Sequence, residues 1–237
     1  MKVLAIDTTG LVASVALVTE EKVVGEFTLN HAMTHSQTIM PLVERLTDML
    51  GFDLAEVECI ACASGPGSFT GLRIGAATAK GLAYALNKKI AAVPTLDALA
   101  YNVFDAEAAI VPIMDAKRNQ VYAAVYKWEN GKLKRLTEYM AEDIQTVMSL
   151  AKKHSRAVFL GDGTPVHSEA ILAEEGFSIA PPHLNAQRAA AVGAYALTMV
   201  PESEWQDVDA FMPVYLRPSQ AERVAAEKAE KAGGQTE

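Results

Sequence analysis

Apolar positions fall in short runs that repeat one plan twice. In the first half, Val3-Leu4-Ala5-Ile6 runs into Asp7-Thr8-Thr9, and residues 13–18 return as a second apolar run. A polar turn at Glu20-Glu21 follows, and residues 23–29 continue the pattern. Runs of this length between polar turns predict three strands. Residues 34–50 then carry Ile39, Leu42, Val43, Leu46, Met49 and Leu50 at helical spacing, with Gln37, Glu44, Arg45 and Asp48 on the polar side. Pro41 lacks an N–H and is expected to kink this helix or restrict its first turns. A strand over 57–67 and a helix over 71–87 complete the unit.

The second half follows the same order. An apolar run over 110–114 ends in Asp115, residues 121–126 return, Asn130-Gly131 is a hairpin signal, and residues 133–139 continue. An amphipathic stretch over 141–154, an apolar strand ending in glycines over 157–163, and a helix over 165–175 come next. A short strand over 177–179 and a long helix from about residue 186 to 200 close the pattern. Two strand-strand-strand-helix-strand-helix units predict an α/β chain of two facing lobes, residues 1–105 and 106–218. Residues 219–237, rich in Ala, Glu and Lys, read as a fraying helix and then a disordered tail.

The chain has 237 residues, half of them hydrophobic, enough to bury a substantial core. Its net charge of −8 argues against nucleic-acid binding on its own, because affinity for phosphates follows Lys/Arg density. An RNA role would need a basic partner. The N-terminal run is too short for a signal peptide and no apolar stretch is long enough to span a bilayer, so the expected location is the cytoplasm and no membrane is expected as partner. Cys59 and Cys62 form C-x-x-C inside a strand pattern. An offset of three puts them on opposite faces, so they read as core thiols and not as a redox or metal pair.

Ser64-Gly65-Pro66-Gly67-Ser68-Phe69-Thr70-Gly71-Leu72-Arg73-Ile74-Gly75 joins an apolar strand to a helix. Glycines let a backbone come close to a ligand or to another element, and a helix N-terminus suits an anion. The spacing is neither a Walker A loop nor a dinucleotide fingerprint. A phosphate site at Gly65, Gly67 and Ser68 and a tightly packed strand-to-helix turn both satisfy the pattern. Asp7 and Thr8 at the end of the first strand stand where a two-lobed ATPase meets metal and phosphate, and Asp115 holds the matching point of the second half. The plainer reading is that Asp7 and Thr8 cap a hairpin turn.

His31 and His35 are four apart, but the helix is expected to start only at Thr34, and no further ligand follows at metal-site spacing. Neither a nucleophilic triad nor a metal set is evident; Ser68 is not in a G-x-S-x-G elbow, and His154, His167 and His183 have no distinguishing spacing. The helix after Gly71 carries small residues every four positions, Gly71, Gly75, Ala79 and Ala83, with a second row at Ala77, Gly81 and Ala85. Glycines inside a helix cost stability, so Gly75 and Gly81 predict close approach of another helix.

Ile6-Asp7-Thr8, His35-Ser36-Gln37 with Pro41, the glycine motif from Ser64 to Gly75, and Pro213-Val214-Tyr215-Leu216-Arg217 together resemble the bacterial TsaB (YeaZ) family. The resemblance implies an actin-like, Hsp70-like ATPase (ASKHA) fold, with the two βββαβα lobes read above. It implies a non-catalytic subunit of the machinery that makes threonylcarbamoyladenosine (t6A) in tRNA, alongside the catalytic paralogue TsaD, TsaC, which makes threonylcarbamoyl-adenylate, and the ATPase TsaE. Where TsaD has its metal-binding His-x-x-x-His, this chain has Thr95 and Leu99, so the transfer chemistry and any metal of its own should be absent. The resemblance further implies pairing with TsaD through the first two helices as a four-helix bundle, and a homodimer when alone. TsaE would join the complex, tRNA would be met only indirectly, and ATP or ADP would sit, if anywhere, at an interface of the assembled complex. The residues expected to meet the partner are Ile39, Val43, Leu46, Ala76, Ala77 and Lys80, with Arg73 placed to meet the partner or an anion. The alternatives are an ATP-dependent phosphotransferase of the same fold, with nucleotide between the lobes and Asp7 and Asp115 near Mg²⁺, and a metallopeptidase; in the scaffold reading Asp7, Thr8, Gly65, Gly67 and Ser68 would be at most a degenerate phosphate site.

Overall fold

The computed structural model describes residues 1–31 and 34–217. The tail read over 219–237 lies outside the described residues.

The first sheet is built from β1 (Lys2–Asp7), β2 (Ala13–Thr19), β3 (Val23–Leu29), β4 (Cys59–Gly65) and β5 (Lys89–Pro94), in the order β3-β2-β1-β4-β5. β1 pairs antiparallel with β2 and parallel with β4. The parallel steps need crossovers, supplied by α1 (His35–Leu50) and α2 (Phe69–Leu86). Successive side chains of a strand point to opposite faces, and the two faces differ in size. Leu4, Ile6, Val15, Leu17 and Ile60 meet Ile39, Val43 and Leu46 of α1 and Ala76, Ala79 and Ala83 of α2. Val3, Ala5, Ala16, Ala61 and Ala91 form the other face, and its small side chains admit α6 (Ala189–Met199) at close range. Cys59 lies in the second of these clusters and Cys62 in the first, on opposite faces as the spacing predicted. Burial pushes the Cys59 thiol up to about 12 and raises Cys62 still further.

The second sheet repeats the topology as β10-β7-β6-β11-β12, from β6 (Ala109–Asp115), β7 (Val121–Ala123), β10 (Met140–Glu142), β11 (Ala157–Leu160) and β12 (Phe177–Ile179). β8 (Tyr126–Glu129) and β9 (Lys132–Arg135) form an additional hairpin around Asn130-Gly131. The sequence pattern predicted a single return strand over 121–126 and a turn joining it to the third strand. In the structure that strand breaks after Ala123, because β7 pairs with β10 while Tyr126 pairs with Ile110 of β6. The amphipathic stretch begins only at α4 (Ile144–Ala151), capped by the Asp143 carboxylate on the Thr146 N–H. α4 and α5 (Thr164–Leu172) cover the outer face of this sheet through Val147, Met148 and Ile171.

α3 (Thr95–Tyr101) and α6 pack together between the two sheets. By chain order α6 falls in the second lobe, residues 106–218. In space its buried side chains join the core of the first sheet, and Tyr195 and Met199 reach the second. The alanine-rich face of β1, β2, β4 and β5 accounts for this, because only a small-residue surface lets a helix rich in alanine sit so low on a sheet.

Both crossover helices end in left-handed caps. Gly51 (φ 57°) ends α1 and its N–H donates to the Asp48 carbonyl, while Asn87 (φ 53°) ends α2. Pro41 sits inside α1 without ending it.

Candidate functional site

The turn between β1 and β2 meets the start of α2 at the mouth of a cleft between the lobes. Asp7 is buried, and its Oδ1 accepts from both the N–H and the hydroxyl of Thr9, at 2.9 and 2.7 Å. Burial pushes the Asp7 carboxyl up to about 6, opposed by those two hydrogen bonds. The Thr8 hydroxyl donates to the Gly71 carbonyl at 2.7 Å, and the Ser68 N–H donates to the Thr9 carbonyl at 2.7 Å. The Ser68 hydroxyl caps α2 by accepting from the Gly71 N–H at 3.3 Å.

The glycines of the motif face the chain's own backbone. A Cβ on Gly67 would lie 2.5 Å from the Thr9 carbonyl oxygen, and one on Gly71 would overlap the Thr8 carbonyl oxygen. A Cβ on Gly75 would lie 2.5 Å from the Thr8 hydroxyl oxygen, so its packing need is met inside the lobe and not by another helix. Gly65 (φ 118°) faces the Val214 carbonyl, and the Val214 N–H donates to the Ser64 carbonyl at 2.7 Å. The Gly65 N–H donates to the Thr95 hydroxyl, and Leu99 lies in the core. Asp7, Thr8, Gly65, Gly67 and Ser68 are the residues that the sequence offers as a phosphate site. The structure brings the five together, but Asp7, Thr8, Gly65 and Gly67 are engaged with protein and only Ser68 is exposed. Gly67, Ser68 and Gly71 also line the cleft between the lobes.

Asp115 is exposed at the end of β6, with its carboxylate 2.7 Å from the Lys117 ammonium. Burial works to raise its pKa, but the Lys117 hydrogen bonds hold it below its ordinary value. Asp162 is shifted upward chiefly by burial, and it accepts from the Asp115 N–H at 3.0 Å. The Asp7–Asp115 pairing that the repeat suggested is thus one buried carboxyl and one exposed ion pair. The His35 Nε2 is 2.9 Å from the Gly10 carbonyl and pins the start of α1 to the β1–β2 turn. Among the described residues no group of three His, Cys, Asp or Glu side chains is placed to hold a metal ion.

The cleft has a volume of about 740 Å³ and is walled by both lobes, with Ser68, Phe69 and Thr70 on one side and Met114, Asp115, Lys117 and Arg118 on the other. The segment Val214 to Arg217 also lines it. Tyr215 packs on Phe69 with ring centroids 4.9 Å apart, and Arg217 donates to the Ala116 carbonyl at 3.1 Å and to the Gln120 side chain. The sequence marked these C-terminal residues as part of a pattern but assigned them no role; their partners are about a hundred residues away, a distance no periodicity can bridge.

A second surface lies on the outer faces of α1 and α2. Of the residues expected to meet a partner, Ile39, Val43, Leu46 and Ala76 are buried in the chain's own core. Those four cannot touch a partner, because the stripe that helical spacing reveals is the one the sheet covers first. Arg73 and Ala77 are exposed, and Lys80 is half-buried. Beside them stand Tyr84, 81% exposed, and on α1 the exposed Met40 and Met49. A Cβ on Gly81 would meet nothing within 4 Å.

A duplicated pair of sheets around an interlobe cleft defines the actin-like, Hsp70-like ATPase class, here with its glycine turn filled by protein. An activator of 2-hydroxyisocaproyl-CoA dehydratase from Clostridium difficile, solved with bound ADPNP, shares the fold at a TM-score of 0.50 and 14% identity, covering 86% of this chain and 97% of that one. YeaZ from Pseudomonas aeruginosa superposes at a TM-score of 0.75 with 25% identity over 91% of this chain and 99% of its own. The family model for TsaD, tRNA N6-adenosine threonylcarbamoyltransferase, matches residues 22–224. The tRNA threonylcarbamoyladenosine biosynthesis protein TsaB of Bacillus subtilis is 34% identical over 228 residues, 94% of this chain and 96% of that protein. The chain belongs to the TsaB (YeaZ) family, paralogous to TsaD.

Proposed function

We propose that this chain is a scaffold and dimerisation subunit of the t6A machinery, without catalysis of its own, and that it binds and activates TsaD through the outer faces of α1 and α2. The observation that carries this reading is the exposed row Ala77, Gly81 and Ala85 flanked by Tyr84. Gly75, on the same helix, has its space filled by Thr8, whereas Gly81 faces open space on the exposed side. α1 and α2 pack side by side on one sheet face, so their outer surfaces are continuous. Such a surface suits a four-helix bundle with TsaD, or with a second copy of this chain when TsaD is absent. TsaE would join that assembly, ATP or ADP would lie at an interface within it, and tRNA would be met through it. A cytoplasmic setting accords with this role, and no described helix is long and apolar enough to cross a membrane. Thr95 and Leu99, which stand where TsaD has His-x-x-x-His, support the absence of turnover.

The test is co-purification with TsaD of the same organism. Ala77→Arg places a charged, bulky side chain on the exposed row and is expected to abolish the complex while leaving the melting temperature of the isolated chain unchanged. An intact complex in Ala77→Arg would place the docking face elsewhere.

A further inference from the structure

After α6 the duplicated plan of strands and helices is complete, and the chain runs back to the first lobe. Gln206 exchanges backbone hydrogen bonds with Ile90 of β5, at 2.8 and 2.9 Å. Phe211 is fully buried in the core that α1 and α2 share with the first sheet. The Val214 N–H donates to the Ser64 carbonyl of β4, and Tyr215 packs on Phe69 at the start of α2. Each of these contacts fastens the segment to the first lobe. Arg217 then crosses to the second. Its guanidinium donates to the Ala116 carbonyl and to the Gln120 side chain, both between β6 and β7. The sequence pattern singled out Pro213 to Arg217, and neither the docking face nor the glycine turn gives Arg217 a task.

The turn that Arg217 grips is strained. Lys117, Arg118 and Asn119 all lie in the left-handed region, at φ 61°, 56° and 60°. Residues with a Cβ visit that region singly, not in succession, and such a conformation persists only where its surroundings over-determine it. The Asp115 carboxylate accepts from the Lys117 N–H at 2.7 Å, and the Ala116 N–H donates to the Gln120 carbonyl at 3.0 Å. The Gln120 amide donates to the Ala141 carbonyl of β10 at 3.3 Å while its oxygen accepts from Arg217. Arg217 thus holds both ends of the turn, with charge-assisted donors, from a segment fixed on the other lobe. Val214 and Arg217 are three residues apart, a span of at most about 11 Å of extended backbone. While both anchors hold, that short tether limits how far the lobes can part.

We propose that residues 206–217 are an interlobe latch: Arg217 fastens the strained 116–120 turn of the second lobe to a strap anchored on the first, and its release lets the turn relax and the cleft widen. The lobes are also joined where Asp97 accepts from Tyr126, Tyr139 and Tyr195, and none of these four lines the cleft. The molecule therefore has a pivot at Asp97 and a separate fastening at Arg217. The latch lies within the isolated chain and needs no docked partner.

Two variants remove the same bond from opposite ends, Arg217→Ala and Gln120→Ala, and circular dichroism verifies that each is folded. Amide exchange by NMR on the full chain is expected to speed up about tenfold or more at Lys117 and Gln120 in both, with the Val214 amide as protected as in wild type. Spin labels at Thr70→Cys and Glu169→Cys, one exposed site on each lobe, read the lobe separation by double electron–electron resonance; Cys59 and Cys62 are buried and escape labelling. The distance distribution should lengthen and broaden in either variant, and the double variant should go no further than the single ones, since one bond is lost in each case. Faster exchange in the turn with an unchanged lobe distance would make Arg217 a local brace and overturn the latch. Unchanged exchange at Lys117 and Gln120 would overturn it as well, and so would loss of protection at Val214, which would show that the strap is not anchored on the first lobe.

Discussion

At the scale of single residues, glycines of one helix separate by what stands opposite them. Gly71 abuts the Thr8 carbonyl, so Gly71→Ala forces the helix off the β1–β2 turn and is expected to cost about 3 kcal/mol. Gly81 faces open space, so Gly81→Ala should stabilise the isolated chain by about 0.5–1 kcal/mol through helix propensity. Urea denaturation of both variants checks the contrast. Asp7 gives a pH signature. Its carboxyl is lifted from an ordinary 3.8 to about 6 by burial, which corresponds to about 3 kcal/mol of stability missing at neutral pH. The native state holds this proton more tightly than the unfolded state does. The group's contribution is therefore fully present below pH 3.8 and is lost as pH rises through about 6. Asp7→Asn keeps a carbonyl acceptor for Thr9 and cannot ionise. The stability difference between Asp7→Asn and wild type should grow between pH 4 and 6 and level off above, in urea titrations at a series of pH values; a flat difference would contradict the burial argument.

At the scale of elements, α1 and α2 each have two faces with different tasks. Apolar spacing found the inward stripe of α1, Ile39, Val43, Leu46 and Leu50, and that stripe closes on β1, β2 and β4. The same spacing could not say that a second surface remains. Met40, Met49 and Tyr84 are exposed on the outer side, and among residues of these kinds only Met49 had entered the sequence pattern, as part of the apolar set. If the proposed docking face is right, Tyr84→Ala is expected to weaken the proposed TsaD complex at least tenfold, as loss of a large aromatic at an interface centre does, with little change in the stability of the isolated chain. Surface plasmon resonance against immobilised TsaD measures it. The order of the elements was legible because strand runs, helical spacing and turn residues are local. The Asn130-Gly131 signal falls in the β8–β9 hairpin, whereas the break after Ala123 has no local signal, because it follows from pairing with β10 and β6.

At the scale of the whole molecule, one carboxylate ties the lobes together. Asp97 on α3 accepts hydrogen bonds from Tyr126 at 2.6 Å, Tyr139 at 2.7 Å and Tyr195 at 2.8 Å. Burial and the Asp97 charge raise the pKa of all three phenols, so they remain donors at any ordinary pH. Tyr126 and Tyr139 belong to the second-lobe region and Tyr195 to α6, which packs on the first sheet. Hydrogen bonds to a charged group are worth about 1.5–3 kcal/mol each. Asp97→Ala is expected to destabilise the chain by about 3 kcal/mol or more and to speed amide exchange in α3 and α6, where hydrogen-exchange mass spectrometry reads it. Unchanged exchange there would show that the lobes are held by apolar packing alone.

The sequence by itself determined the duplicated order of strands and helices, the tight turn at Gly65 to Gly71 and the core stripes, because each depends on neighbours within a few positions of the chain. Only the tertiary structure decided what fills the glycine turn, where α6 packs, which helix faces stay open, and that Asp97 gathers three tyrosines. Those depend on residues distant in the chain meeting in space, and burial, unlike periodicity, is a property of the assembled lobes.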